Sequence, residues 1–241
     1  MIGIVLGLTG AGGALIAIPL FMQFLGMNLK EASVYSLVAV VVASLLNFIS
    51  QRKNAQYQTA SLIVSASFAG SYLTAPWKMM LPDSFVAITL AAVSIYALYS
   101  IWIPVKKSVD GYSPPRVSWL HAIIVGLILG VLTTITGLGG GVLMLPVFLR
   151  VFNYSHPQAI STGLLAVGLS SLSSLFIQFM NGTNFEVNLD LALLSVGILL
   201  SVVMLSLLLK RLPPSVVSHA RQIVFTFVVV LALLQLSWKL G

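Results

Sequence analysis

The chain has 241 residues, of which 59% are hydrophobic and 7% charged, with a mean hydropathy of +1.06. Soluble domains carry about 25% charged residues, so the composition excludes a soluble globular domain and indicates an all-α polytopic membrane protein. The absence of cysteine excludes disulfide frameworks and thiolate metal or redox sites. The net charge of +7 comes from basic residues scattered through short loops, not from the continuous stripe that nucleic acid requires.

At about 20 residues per crossing, apolar segments fall near 1 to 27, 33 to 50, 59 to 80, 84 to 104, 118 to 152, 158 to 180, 187 to 209 and 215 to 238. No Lys or Arg precedes Lys30, so the charged start of a cleavable signal peptide is missing and residues from Met1 onward read as membrane domain. The first segment contains Thr9, Gly10, Ala11, Gly12 and Gly13 followed by Pro19. The fifth contains Thr136, Gly137, Leu138, Gly139, Gly140 and Gly141 followed by Pro146. Between the two sets of four segments lies the polar stretch from Lys106 to Arg116, flanked by Trp102 and Trp119 as interfacial aromatics. Trp77 and Trp238 read as further interface anchors. The expected organisation is a first repeat over 1–105, a cytoplasmic linker over 106–117 and a second repeat over 118–241.

An ungapped shift of 127 residues supports that division. It gives fourteen identities over positions 3 to 51, among them Thr9 with Thr136, Gly10 with Gly137, Gly12 with Gly139, Gly13 with Gly140, Pro19 with Pro146, Ser44 with Ser171 and Gln51 with Gln178. Apolar composition alone would match Leu, Val and Ala, but not the Thr, Gly, Pro and Gln pairs. An internal duplication is the reading.

Basic residues then orient the repeats. If every apolar segment crosses once, the loops on the two sides hold six basic residues each, which specifies nothing. If segments one and five turn back at their glycines, one side collects Arg52, Lys53, Lys106, Lys107, Arg116, Arg150, Lys210, Arg211 and Arg221, and the other keeps Lys30, Lys78 and Lys239. The second arrangement makes each half cross an odd number of times. The expected fold is therefore two inverted repeats, each with a Gly-broken, hairpin-like first segment followed by three transmembrane helices. The hairpin arms are uneven, since 118 to 136 is long enough to span and 141 to 152 is not.

Unwound backbone inside a bilayer is tolerated only where protein or a wet cavity satisfies its polar groups. A helix starting just after a Gly-rich break offers free N–H groups and a positive dipole end, and glycine lets an oxyanion approach. The expected substrate contacts are thus Thr9, Gly10, Gly12, Gly13, Thr136, Gly137, Gly139, Gly140 and Gly141. The competing reading is that the glycines only allow close helix packing. A polar stripe adds Ser44, Asn47 and Gln51, with Ser171, Ser174 and Gln178 in the repeat, at i, i+3, i+7 on one helix face. Interhelical hydrogen bonding is their alternative role. Tyr35 and Ser36 against Thr162 and Gly163 are weaker candidates near helix starts, where Ser and Thr also serve as caps.

Glu31, Asp83, Asp110, Glu186 and Asp190 all fall in or beside loops, so no carboxylate stands at membrane depth as a proton relay would require. His121, His156 and His219 lie near segment ends and read as interfacial. No cofactor or metal is expected. An intramembrane enzyme would need a nucleophile with its base, or a metal cluster, at depth, and the sequence offers neither.

A Gly-rich motif followed by Pro at the start of each of two homologous halves resembles the sulfite exporter TauE/SafE family. The residues that carry the resemblance are Gly10, Gly12, Gly13, Pro19 and Ala32, then Gly137, Gly139, Gly140, Gly141, Pro146 and Ala159. The first arm is shorter than the second, and Ala14 stands where the second motif has Gly141. The resemblance implies movement of small sulfur-containing anions such as sulfite, sulfoacetate or related organosulfonates across the bacterial inner membrane. Energetics favours export: expelling a monovalent anion from a cell negative inside releases about 2.3 kcal/mol per 100 mV. The alternatives are an anion channel, a proton- or sodium-coupled importer of organosulfonates, and a non-transporting assembly protein. The expected partners are a small anion and the lipid bilayer, and self-association is left open.

Overall fold

The computed structural model describes residues 14–24, 26–78, 80–102 and 118–182. The first glycine break (Thr9, Gly10, Gly12 and Gly13), the linker at 106–117 and the last two expected segments lie outside the described residues. Among the described residues all regular structure is helical: α1 (Ala14–Phe24), α2 (Leu29–Gln51), α3 (Tyr57–Lys78), α4 (Asp83–Trp102), α5 (Trp119–Thr136), α6 (Gly141–Arg150) and α7 (His156–Met180), with a 3-10 turn at Arg52–Asn54 after α2.

Three spans, Leu29–Asn54, Trp119–Thr136 and His156–Met180, are long and apolar enough to cross a bilayer. α3 has the length, at 22 residues or about 33 Å, but turns a polar face inward. Thr59, Ser67, Ser71 and Lys78 are buried, whereas Leu62, Phe68, Tyr72, Leu73 and Trp77 face outward. Apolar side chains outside and polar ones inside suit a helix whose surroundings are lipid and whose polar groups find partners only in the bundle.

Local structure repeats at the 127-residue offset. α1 and α6 begin at Ala14 and Gly141, and each carries a proline at its sixth residue, Pro19 and Pro146. α2 and α7 begin at Leu29 and His156 behind the N-caps Asn28 and Ser155, each closed by a capping box with the residue three further on. Glu31 Oε2 accepts from the Asn28 N–H at 3.0 Å, and Gln158 Oε1 from the Ser155 N–H at 3.3 Å. The same stop and start signals thus shape both copies.

The two long equivalent helices, α2 and α7, run antiparallel. Ser33 near the start of α2 and Gln178 near the end of α7 both meet Lys78. Ser44 packs at Gly168 halfway along, and just beyond α2 the Gln56 N–H donates to Thr162 Oγ1, near the start of α7, at 3.0 Å. α3 and α5 instead run parallel along a seam of small residues. An added Cβ on Gly126 would lie 2.5 Å from the Ile63 carbonyl oxygen, one on Gly70 2.5 Å from that of Leu127, and one on Gly130 would collide with that of Ser67. Such close backbone approach is how helices gain van der Waals contact in lipid.

α5 climbs along α3, the chain turns at Gly137 to Gly140, and α6 descends beside α7, with Met144 and Phe148 seated over Gly163. Phe148 stacks on Tyr154 at 5.6 Å, and the Tyr154 hydroxyl lies 2.6 Å from Thr59 Oγ1. At ten residues, α6 is about 15 Å long, half of a hydrocarbon core of about 30 Å. The arms are therefore uneven, with α6 too short to span.

Candidate anion site

The second glycine break lies at the centre of the bundle. Thr136 ends α5 by donating from Oγ1 to the Leu132 carbonyl at 2.6 Å and accepting the Leu138 N–H at 3.3 Å. Gly137 caps the helix at φ +72°, donating its N–H to Thr133 O at 2.9 Å, while its carbonyl accepts from the Ser36 hydroxyl. Gly139 and Gly140 follow at φ +65° and +66°, a region that costs other L-residues about 1–2 kcal/mol. Space restricts these positions as well. A Cβ on Gly139 would overlap Val40 and lie 2.7 Å from Ser171 Oγ; one on Gly140 would overlap Leu129 and lie 3.4 Å from Thr133 Oγ1. Val40 and Ser171 are midway along α2 and α7, so the backbone of the break reaches their middle.

Donors collect there without acceptors among the described residues. The Gly140 carbonyl takes the N–H groups of Leu143 and Met144 at 3.0 and 3.2 Å, whereas those of Gly139, Gly140 and Gly141 make no hydrogen bond to another described residue. These free donors coincide with the positive end of α6. Beside them the hydroxyls of Thr133 and Ser171 are buried without a hydrogen-bond partner among the described residues, as are those of Ser44 on α2 and Ser170 on α7, each such group costing about 1–3 kcal/mol. Ser44 and Ser171 are equivalent positions of the two copies. The described carboxylates, Glu31 and Asp83, are both exposed, and no group of His, Asp or Glu among the described residues could hold a metal ion. A site rich in donors and free of carboxylate suits a small oxyanion.

The two polar stripes meet different surroundings. On α7, Ser171 borders the break, Ser174 lies 2.7 Å from Ser71 Oγ and accepts from Thr134 at 3.4 Å, and Gln178 Oε1 accepts from Lys78 at 2.7 Å. Of the α2 stripe only Ser44 is buried. Asn47 donates to the Ala43 carbonyl of its own helix at 2.9 Å, and Gln51 is exposed at the helix end. His121 and His156 are exposed at the starts of α5 and α7. Tyr35 lies edge-on to Phe21, Gly163 lies under Phe148, and Thr162 ties the chain after α2; Ser36 alone of these four touches the break.

Lys78 corrects the sequence reading. Counted there as a loop charge, it is instead in the last turn of α3 and 2% exposed, because α3 continues past Pro76 and its ammonium reaches Ser33 Oγ at 2.9 Å and Gln178. The available signal was the spacing of Ser67, Ser71 and Lys78, which share one helix face.

The family model for the sulfite exporter TauE/SafE matches residues 1–235. The chain belongs to the TauE/SafE family. As a TauE/SafE protein it is a multi-pass membrane transporter with a small-molecule substrate and a lipid environment. No curated protein and no solved structure matches this TauE/SafE chain.

Proposed function

We propose that the protein exports small sulfur-containing anions, such as sulfite, sulfoacetate or related organosulfonates, from the bacterial cytoplasm across the inner membrane by alternating access. The observation that carries this reading is the second break, where the N–H groups of Gly139, Gly140 and Gly141 and the hydroxyls of Ser171 beside Gly139 and Thr133 beside Gly140 have no hydrogen-bond partner among the described residues, and the described carboxylates are exposed elsewhere. Buried N–H and hydroxyl donors without protein partners suit negative charge that arrives from outside the protein. In this proposal the first break, with Thr9, Gly10, Gly12 and Gly13, completes the site from the other side.

The inverted arrangement and the division into repeats at 1–105 and 118–241 belong to the same proposal. Equivalent helices that run antiparallel, and a short α6 that returns toward the side from which α5 came, support it. With Lys78 inside the bundle, the sparse side keeps only Lys30 and Lys239, which strengthens the positive-inside bias. Export then follows the membrane potential and needs no coupling ion.

Counterflow in proteoliposomes with labelled sulfite, competing anions and an imposed potential tests this. Saturable exchange that responds to the potential is expected. Fluxes far above carrier rates would make the protein a channel, and no exchange with any sulfur oxyanion would overturn the substrate class.

A further inference from the structure

We propose that Lys78 forms a second anion station, displaced from the glycine break toward the end of the bundle where α3 and α7 finish. The inference rests on the exporter reading and adds to it a buried basic side chain on the exit route.

The first ground is electrostatic. Lys78 is buried, and its ammonium donates to two neutral groups, Ser33 Oγ at 2.9 Å and Gln178 Oε1 at 2.7 Å. An ammonium has three donors, and no carboxylate among the described residues pairs with this one. Asp83 is 3.4 Å from Lys30 instead. Asp83 is therefore committed to Lys30 and is itself exposed. Burying a charge is costly unless it is paired, and an ionisable group inside a membrane bundle points first to function.

The second ground is the repeat. The position 127 residues after Lys78 is Leu205, so the offset that pairs positions 3 to 51 puts no cation opposite Lys78. The charge belongs to one end of one copy, as expected of a group that serves the substrate.

The third is continuity with the break. Gln178 lies seven residues beyond Ser171 on the same face of α7, about 10 Å along the axis. Between them Ser174 gathers the hydroxyls of Ser71 and Thr134. An oxyanion leaving the N–H donors of the break would pass these hydroxyls and meet the Lys78 amine, with Ser33 and Gln178 exchanging their hold on it for contact with the anion.

The test compares the full-length protein with Lys78→Met, Lys78→Gln and Lys78→Arg, reading thermal unfolding and equilibrium binding with sulfite, sulfate, phosphate and acetate as probes. A station predicts that Lys78→Met unfolds at the same or a higher temperature without ligand, binds sulfite about 10- to 100-fold more weakly, and that Lys78→Arg retains most of the affinity. Wild-type affinity in Lys78→Met would overturn the station and leave the exporter reading standing. Loss of the fold in both Lys78→Met and Lys78→Gln would make the ammonium a tether of α3 and overturn the station too. If the wild type binds none of the four probes, both readings fail.

Discussion

Replacing Ser171 with Ala should move stability and binding in opposite directions. The Ser171 hydroxyl is 0% exposed, has no hydrogen-bond partner among the described residues and lies beside Gly139. In the empty protein it carries a desolvation cost of about 1–3 kcal/mol, part of which the alanine recovers, less a small loss of packing. With an oxyanion bound, the same hydroxyl donates to a charged group, worth about 1.5–3 kcal/mol or roughly 10- to 150-fold in affinity. Ser171→Ala is therefore expected to unfold at a higher temperature without ligand and to bind sulfite more weakly. Thermal unfolding and isothermal titration of the purified protein measure the two effects. Ser173→Ala is the control, because Ser173 spends its hydroxyl on the Leu169 carbonyl of its own helix at 2.9 Å. Unchanged sulfite affinity in Ser171→Ala, or a loss of stability, would show that the hydroxyl is helix-to-helix glue and not part of the cradle.

The two capping boxes should behave alike: Asn28→Ala and Ser155→Ala are each expected to cost about 1 kcal/mol, measured by unfolding in detergent, and a much larger effect at one would mean that the copies are stabilised differently. The chain has no native cysteine, so single cysteines at Lys53, Arg150 and Gly182 can report topology with an impermeant thiol reagent. Inverted repeats predict cytoplasmic labelling at the first two and external labelling at the third. Spin labels at the exposed Leu73 on α3 and Ile128 on α5 should keep a constant separation with and without sulfite; a separation that changes with substrate would show that the small-residue seam slides.

Much of this architecture was legible because it is written locally. Apolar runs marked the helices, and the Thr, Gly and Pro signature located the turn between α5 and α6, where positive φ and lack of space both require glycine. The paired capping boxes were visible as Asn28 with Glu31 and Ser155 with Gln158, had the 127-residue shift been read for caps as well as for identities. What escaped depends on contacts between distant parts of the chain. Ser36 reaches Gly137 across 101 residues, and Lys78 reaches Ser33 and Gln178 across 45 and 100. A lysine after Trp77 at the end of an apolar run looks interfacial until those partners are in place. Periodicity put Asn47 and Gln51 on the face of Ser44, but it could not tell that Asn47 would bond its own helix or that Gln51 would be exposed.

The seam between α3 and α5 bears on how such a molecule could rock. α3 comes from the first half of the chain and α5 from the second, yet the carbonyl groups of Ile63 and Ser67 sit where side chains on Gly126 and Gly130 would be. Sliding one helix past the other would carry those carbonyls off the glycines and into positions that bear side chains. The two helices are then carried together, and the turn at the glycines travels with a helix from the opposite half. Under the proposed alternating access, the pieces that move against one another would each be assembled from both halves of the chain.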